Sequence, residues 1–292
     1  MTMNPGAAPS ELPVLPTLKG RGMAVLWSPS ADLRDLLSIV EGDPGLTASV
    51  LRAANSSFSA PTGPIRTAPA ALDRIGADAA QQIVSAAFSR AEFENLTRSD
   101  VHFEDYWSWQ LAVALLTEAF CLYDQRPTDE IESAFTAGLL HQVGRLSLIA
   151  RSPERYRDVV ALVNTGVIPL EAEWQTLGDD ASHITAQVGT HWGFFEPLPS
   201  VLSALTNVQV DGLAAEVRDA QRVAAELGYG EGYSLSVPVR TPLPSAHPRY
   251  AALAAIGGPE ELERQIQWFH QAAGGRTALS LRPAASNDRL AG

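Results

Sequence analysis

The sequence predicts an all-α protein. Apolar residues recur at helical spacing along most of the chain, and prolines and glycines fall between those segments. No stretch shows sustained two-residue alternation with β-branched enrichment. Hydrophobic residues make up 46% of the 292 residues, enough for a sizeable core and incompatible with wholesale disorder.

The elements follow in chain order. Leu33, Leu36, Leu37 and Val40 share one helix face behind Ser30, which is expected to cap it. Gly42-Asp43-Pro44 resets the chain: Asp43 can cap, and Pro44 at the first helical position has no N–H to waste. Leu46, Val50, Leu51 and Ala54 line the helix that runs to Asn55-Ser56-Ser57. Residues 59–69, with three prolines and a glycine, form a loop. A short helix over Pro69–Ile75 stops at Gly76, and Asp78 starts another with Ile83 and Val84 inward. Further helices are expected over 104–123, 128–150, 153–164, 169–177, 180–191, 199–208, 211–227 and 258–272. Val237–Arg249, with four prolines, reads as a long loop.

Charge narrows the partners. Lys plus Arg number 21 and Asp plus Glu 33, a net charge of −12 that repels polyanions, so neither nucleic acid nor an anionic membrane is an expected partner. Cys121 is the single cysteine, which excludes an intramolecular disulfide and a Cys-based zinc site and reads as a small core residue. The first residues lack the charged start and apolar middle of a secretory signal. The longest apolar stretch, Leu111–Leu116, is far short of the ~18–20 residues that span a bilayer. A cytoplasmic protein is the expectation.

The most suggestive string for chemistry runs from Gly138 to Leu146, with His141-Gln142 inside it and Gly144-Arg145 after it. A histidine within an apolar helix, followed by a polar residue and a glycine, resembles the metal-binding helix of the HD phosphohydrolase superfamily. A wider resemblance joins it. Asp43-Pro44-Gly45-Leu46 through Asn55-Ser56, Ala71–Gly76, Trp107 with Leu111–Ala114, Leu139–Leu146, Gly178-Asp179-Asp180 and His191-Trp192-Gly193 are similar, in order and spacing, to the HDOD family. That family is an HD-related output domain of bacterial signalling proteins, and the resemblance covers about residues 11–230.

Composition and the resemblance together divide the chain into a flexible N-terminus (1–11), an N-terminal helical part (12–100) and an HD-like helical part (101–230). A Pro-rich loop with a C-terminal helix (231–272) and a disordered tail (273–292) follow. The resemblance also implies where metal ligands would stand: Trp109 occupies the position of a histidine on the preceding helix, Gln142 that of the aspartate beside His141, and Ala181 that of a further histidine. Only His141 keeps a ligand side chain, and one imidazole does not hold a catalytic metal against water. Trp109, His141, Gln142, Arg145 and Ala181 are therefore expected to form a vestigial HD pocket. Asp43, Pro44, Asn55, Ser56, Gly144, Trp192 and Gly193 are expected to be architectural, with Asn55 suited to a left-handed helix end.

Other features carry less. His183 and His191 lie about 80° apart around an ideal helix, without a fixed acidic partner, and read as solvent-facing or capping residues. Asp179-Asp180 and Glu104-Asp105 fall at helix starts and read as caps. No G-x-S-x-G string marks a serine nucleophile. Gly228–Tyr233 follows a helix and lacks a lysine, so it reads as a helix stop, not a phosphate cradle. Arg145 can reach an anion near His141, or pair with Glu132 or Glu154 at the surface.

The expected function is a non-catalytic signalling module that needs no cofactor and acts by contact with another signalling protein, its pocket filled or holding a small molecule without turnover. Two alternatives stand: a divergent metal-dependent phosphohydrolase of nucleotides or cyclic dinucleotides, and a non-hydrolysing receptor for such ligands using Arg52, Arg66, Arg74 and Arg145.

Overall fold

The computed structural model describes residues 33–56, 63–88, 96–233 and 242–271. The expectations for Ser30, for residues 1–11 and for 273–292 lie outside them, as do parts of the two expected loops. The described residues contain helices and no strand.

Four helices form the N-terminal part: α1 (Leu33–Glu41), α2 (Pro44–Ala54), α3 (Ala68–Ile75) and α4 (Ala77–Phe88). Asp43 caps α2 as expected, its carboxylate accepting the Leu46 N–H at 2.7 Å, with Pro44 at the first helical position. Thr47 on α2 donates to the carbonyl of Val40 on α1 at 2.6 Å, which fixes the corner between them. Thr67 caps α3, and Gly76 ends it.

The rest is built around α5 (Phe103–Tyr123). Its residues are buried on every side from Tyr106 to Cys121, with Ser108 and Glu118 as the exceptions. A helix apolar all round belongs at the centre of a core, and α5 packs against α6 (Thr128–Leu140), α12 (Gly212–Glu226), α13 (Tyr250–Ala255) and α14 (Gly258–Gln271). Around this centre run α7 (Gly144–Arg151), α8 (Pro153–Asn164), α9 (Pro169–Leu177), α10 (Ala181–His191) and α11 (Leu198–Ala204). The indole N–H of Trp107 donates to the Gly42 carbonyl, joining α5 to the α1–α2 corner. The buried apolar residues make one continuous core from Leu36 to Ile266. No described helix is long and apolar enough to cross a membrane.

Two expectations need correction. The helix expected over 128–150 is two, broken by a turn at His141–Val143. The break follows from packing. A Cβ on Gly144 would lie 2.6 Å from both the Ala181 carbonyl oxygen and the Thr185 nitrogen, so α7 begins in direct backbone contact with α10. The Thr185 hydroxyl, at 2.9 Å, accepts the Gly144 N–H that the broken helix leaves free. Second, a short helix that the sequence reading did not place, α13, begins at Tyr250, directly after the Pro-rich stretch that reads as loop. Arg249 anchors it, reaching Asp124 on one side and Glu216 and Asp219 on the other.

Candidate functional site

The turn between α6 and α7 places His141, Gln142 and Arg145 inside the protein. Gly138 lets α6 approach α5 so closely that a Cβ there would lie 2.6 Å from the Ala114 Cα. The His141 ring is thereby buried against Trp109 of α5, with ring centroids 6.2 Å apart. Its Nδ1 lies 2.6 Å from the Gly138 carbonyl, which can only accept, so Nδ1 carries the proton and Nε2 presents a bare lone pair. Burial pushes the imidazole pKa down to about 3 against the help of that hydrogen bond, and the Arg145 charge lowers it further. His141 is therefore neutral. Its Nε2 and the Trp109 indole Nε1 are buried without hydrogen-bond partners.

Arg145 is fully buried, which decides between its two expected settings against a surface pairing with Glu132 or Glu154. Its Nε donates to Glu173 at 2.8 Å, and its Nη1 to Gln142 at 2.6 Å and to Glu231 at 2.5 Å. The guanidinium carbon stands 5.1 Å from the Tyr233 ring centroid. Glu173, equally buried, also accepts from the Tyr156 and Tyr233 hydroxyls, and its second oxygen accepts the Ala181 N–H at 2.8 Å. One carboxylate thus anchors the guanidinium and the first turn of α10, where the helix dipole favours it. Burial above all holds the Tyr156 and Tyr233 phenols protonated, well above their ordinary range. Tyr106 completes the shell: its hydroxyl donates to the Gln142 carbonyl and accepts from Gln110, both at 3.1 Å.

The five residues of the expected pocket thus lie in one buried neighbourhood, and their chemistry is not that of a metal site. Gln142 turns its oxygen to a guanidinium, which would repel a cation held there. Ala181 contributes a backbone N–H, Trp109 an indole, and His141 a single lone pair. These donors do not fit a divalent ion. No group of three or more His, Cys, Asp or Glu side chains suited to a metal occurs among the described residues.

The remaining motif residues have local roles. The Asn55 amide donates to the Ile65 carbonyl at 2.8 Å, and Ser56 donates to the Ala53 carbonyl at 2.7 Å. Asn55 itself has φ −92°, so the left-handed conformation expected of it is not used. Trp192 ends α10 beneath the Arg52 guanidinium, and Gly193 turns the chain away with φ +72°. Asp180 caps α10 as expected, while Asp179 accepts from His183 Nδ1 at 2.7 Å. His191 Nδ1 returns to the Gln187 carbonyl at 2.9 Å. No side-chain cap starts α5, where Glu104 and Asp105 lie in the first turn.

Sequence reasoning missed Glu173, Glu231, Tyr156 and Tyr233. A signal for Glu173 existed: it continues the inward face of Leu170 and Leu177, and an acid on such a face requires a buried cation. Nothing local marks Glu231, which a six-residue turn delivers from beyond α12.

The described residues define an all-α protein with a buried polar cluster at the α6–α7 turn. The sequence matches the HDOD domain over residues 12–208, and the chain belongs to that family. Its fold is similar to that of the MmoQ response regulator from Methylococcus capsulatus str. Bath, with a TM-score of 0.63, 22% identity and coverage of 87% of this chain and 97% of that one. It is also similar to a virulence factor from Campylobacter jejuni, with a TM-score of 0.54, 17% identity and coverage of 76% and 82%. No curated protein matches the sequence.

Proposed function

We propose that this chain is a non-catalytic regulatory module of bacterial signalling, acting through contact with another protein. The carrying observation is the use made of the positions where the resemblance would put metal ligands. Gln142 and Ala181 hold the Arg145–Glu173 pair, and Trp109 packs on a neutral His141, so these groups serve packing and internal hydrogen bonding. The name of MmoQ, a response regulator of similar fold, accords with a signalling role. The net charge of −12 favours a protein partner over nucleic acid or an anionic membrane.

The test is metal content by mass spectrometry on protein grown with added iron, manganese and zinc, beside His141→Ala, together with hydrolysis assays on nucleotides and cyclic dinucleotides. The reading expects metal far below one ion per chain in both proteins, and no turnover. About one metal per chain, lost in the variant and accompanied by hydrolysis, would replace it with the phosphohydrolase.

A further inference from the structure

The partners of Arg145 differ in how they are held. Glu173 is fully buried and locked by two tyrosines and the start of α10. Glu231 is 24% exposed and stands on the Gly228–Tyr233 turn, beyond the end of the HDOD match. It touches the guanidinium through Nη1 alone, while Nη2 is buried with no hydrogen-bond partner. A guanidinium offers its Nη1–Nη2 edge as a fork for two oxygens of one anion. Here the fork is half used.

The turn that brings Glu231 in is built for close approach. Gly232 has φ +82°, and a Cβ on it would lie 2.7 Å from the His102 carbonyl oxygen. Its own carbonyl accepts the His102 N–H at 2.8 Å. The Tyr229 hydroxyl donates to Glu263 of α14 at 2.7 Å, tying the turn to the C-terminal helix. Glu231 thus lies on the solvent side of a fully buried arginine, on a segment with its own anchors.

We propose that Arg145 is the floor of an oxyanion site which Glu231 closes as a tethered carboxylate, and that a free carboxylate or phosphate group takes its place across both Nη atoms. Glu231 is then an internal competitor, and withdrawal of its part-exposed side chain governs access. The inference goes beyond the regulatory reading above and does not depend on it, because binding here involves no turnover.

The experiment is thermal unfolding of the full chain, wild type and Glu231→Ala, titrated with sodium acetate, inorganic phosphate or sodium chloride at matched ionic strength. Removing the tether should create a site whose filling raises the midpoint saturably, as ligand linkage requires. The apparent affinity should be at least ~tenfold tighter than in wild type, where only the open fraction binds. Greater effect of phosphate than acetate assigns the site to phosphate groups, and the reverse assigns it to carboxylates. Midpoints that follow ionic strength alike in both proteins overturn the proposal. So does an anion response that persists in Glu231→Ala/Arg145→Met. Should Glu231→Ala fail to fold, Glu231→Gln removes the charge and keeps the shape, and the same comparisons decide.

Discussion

The guanidinium of Arg52 lies over the indole of Trp192, its central carbon 4.2 Å from the ring centroid. Arg52 belongs to α2 and Trp192 closes α10, so the contact joins the N-terminal helices to the second half of the fold. Arg66 adds a hydrogen bond to the Glu196 carbonyl along the same seam. Two motifs far apart in sequence are thus one interface, which accounts for their residue types without a ligand. A double-mutant cycle with Arg52→Met and Trp192→Leu should give a coupling of about 0.5–2 kcal/mol by urea unfolding. Zero coupling would leave the stacking without energetic meaning.

The buried pair Arg145–Glu173 makes a larger prediction. Glu173→Ala leaves a guanidinium in the core with one carboxylate fewer and strips the acceptor from two tyrosines and the Ala181 N–H. Unfolding by urea should show a loss of about 3–5 kcal/mol, the usual cost of stranding one member of a buried pair. Glu231→Ala should lose less, since that carboxylate is partly solvated. The reverse order would mean that Glu231 is the structural partner and Glu173 the dispensable one, and equal losses would mean that the two carboxylates hold Arg145 alike.

These two clusters show how far the sequence could be read. The all-α class, most helix positions and the caps at Asp43 and Asp180 follow from spacing and local chemistry, and the structure has them. The ionic partners of Arg145 were not legible, because Glu173 and Glu231 reach it across a long sequence separation and only folding brings them there. The break at His141–Val143 was hidden for a related reason. Val143, Leu146 and Leu148 keep an apolar run going, and the cause of the turn is the backbone of α10 at Gly144.

That contact is itself a test. Gly144→Ala places a methyl 2.6 Å from two backbone atoms of α10, and neither is a flexible side-chain end that can swing aside. The helices must separate, disturbing the Thr185 hydrogen bond and the Ala181 N–H that Glu173 holds. A loss of about 3 kcal/mol or more is expected, at the upper end of overpacking costs. Gly76→Ala has open space around its Cβ and bears only the strain of φ +81°, so it should cost less. Comparing the two urea midpoints separates crowding from conformation; a Gly144→Ala protein as stable as Gly76→Ala would refute the close-contact account of the turn.

His141 links stability to acid. Its folded pKa lies at about 3, lowered chiefly by burial, against an ordinary value of 6.5. On acidification below 6.5 the unfolded chain therefore takes up a proton that the folded protein refuses, and the unfolded state gains. The contribution is complete above 6.5 and is lost as pH falls towards the folded value. Between about pH 6 and 4 the slope is about 1.4 kcal/mol per pH unit for the single proton involved. Carboxylates also lose stabilising interactions in this range, but His141→Gln retains them, so the difference between the two proteins isolates the imidazole. At neutral pH the variant should be less stable by about 1–3 kcal/mol, from the hydrogen bond to Gly138 and the altered packing on Trp109. That gap should close as the pH is lowered from 7 to 4.5 and can change sign at the acid end. Parallel stability curves would show that His141 takes up its proton at the ordinary pH in the folded protein, against the burial that holds it neutral.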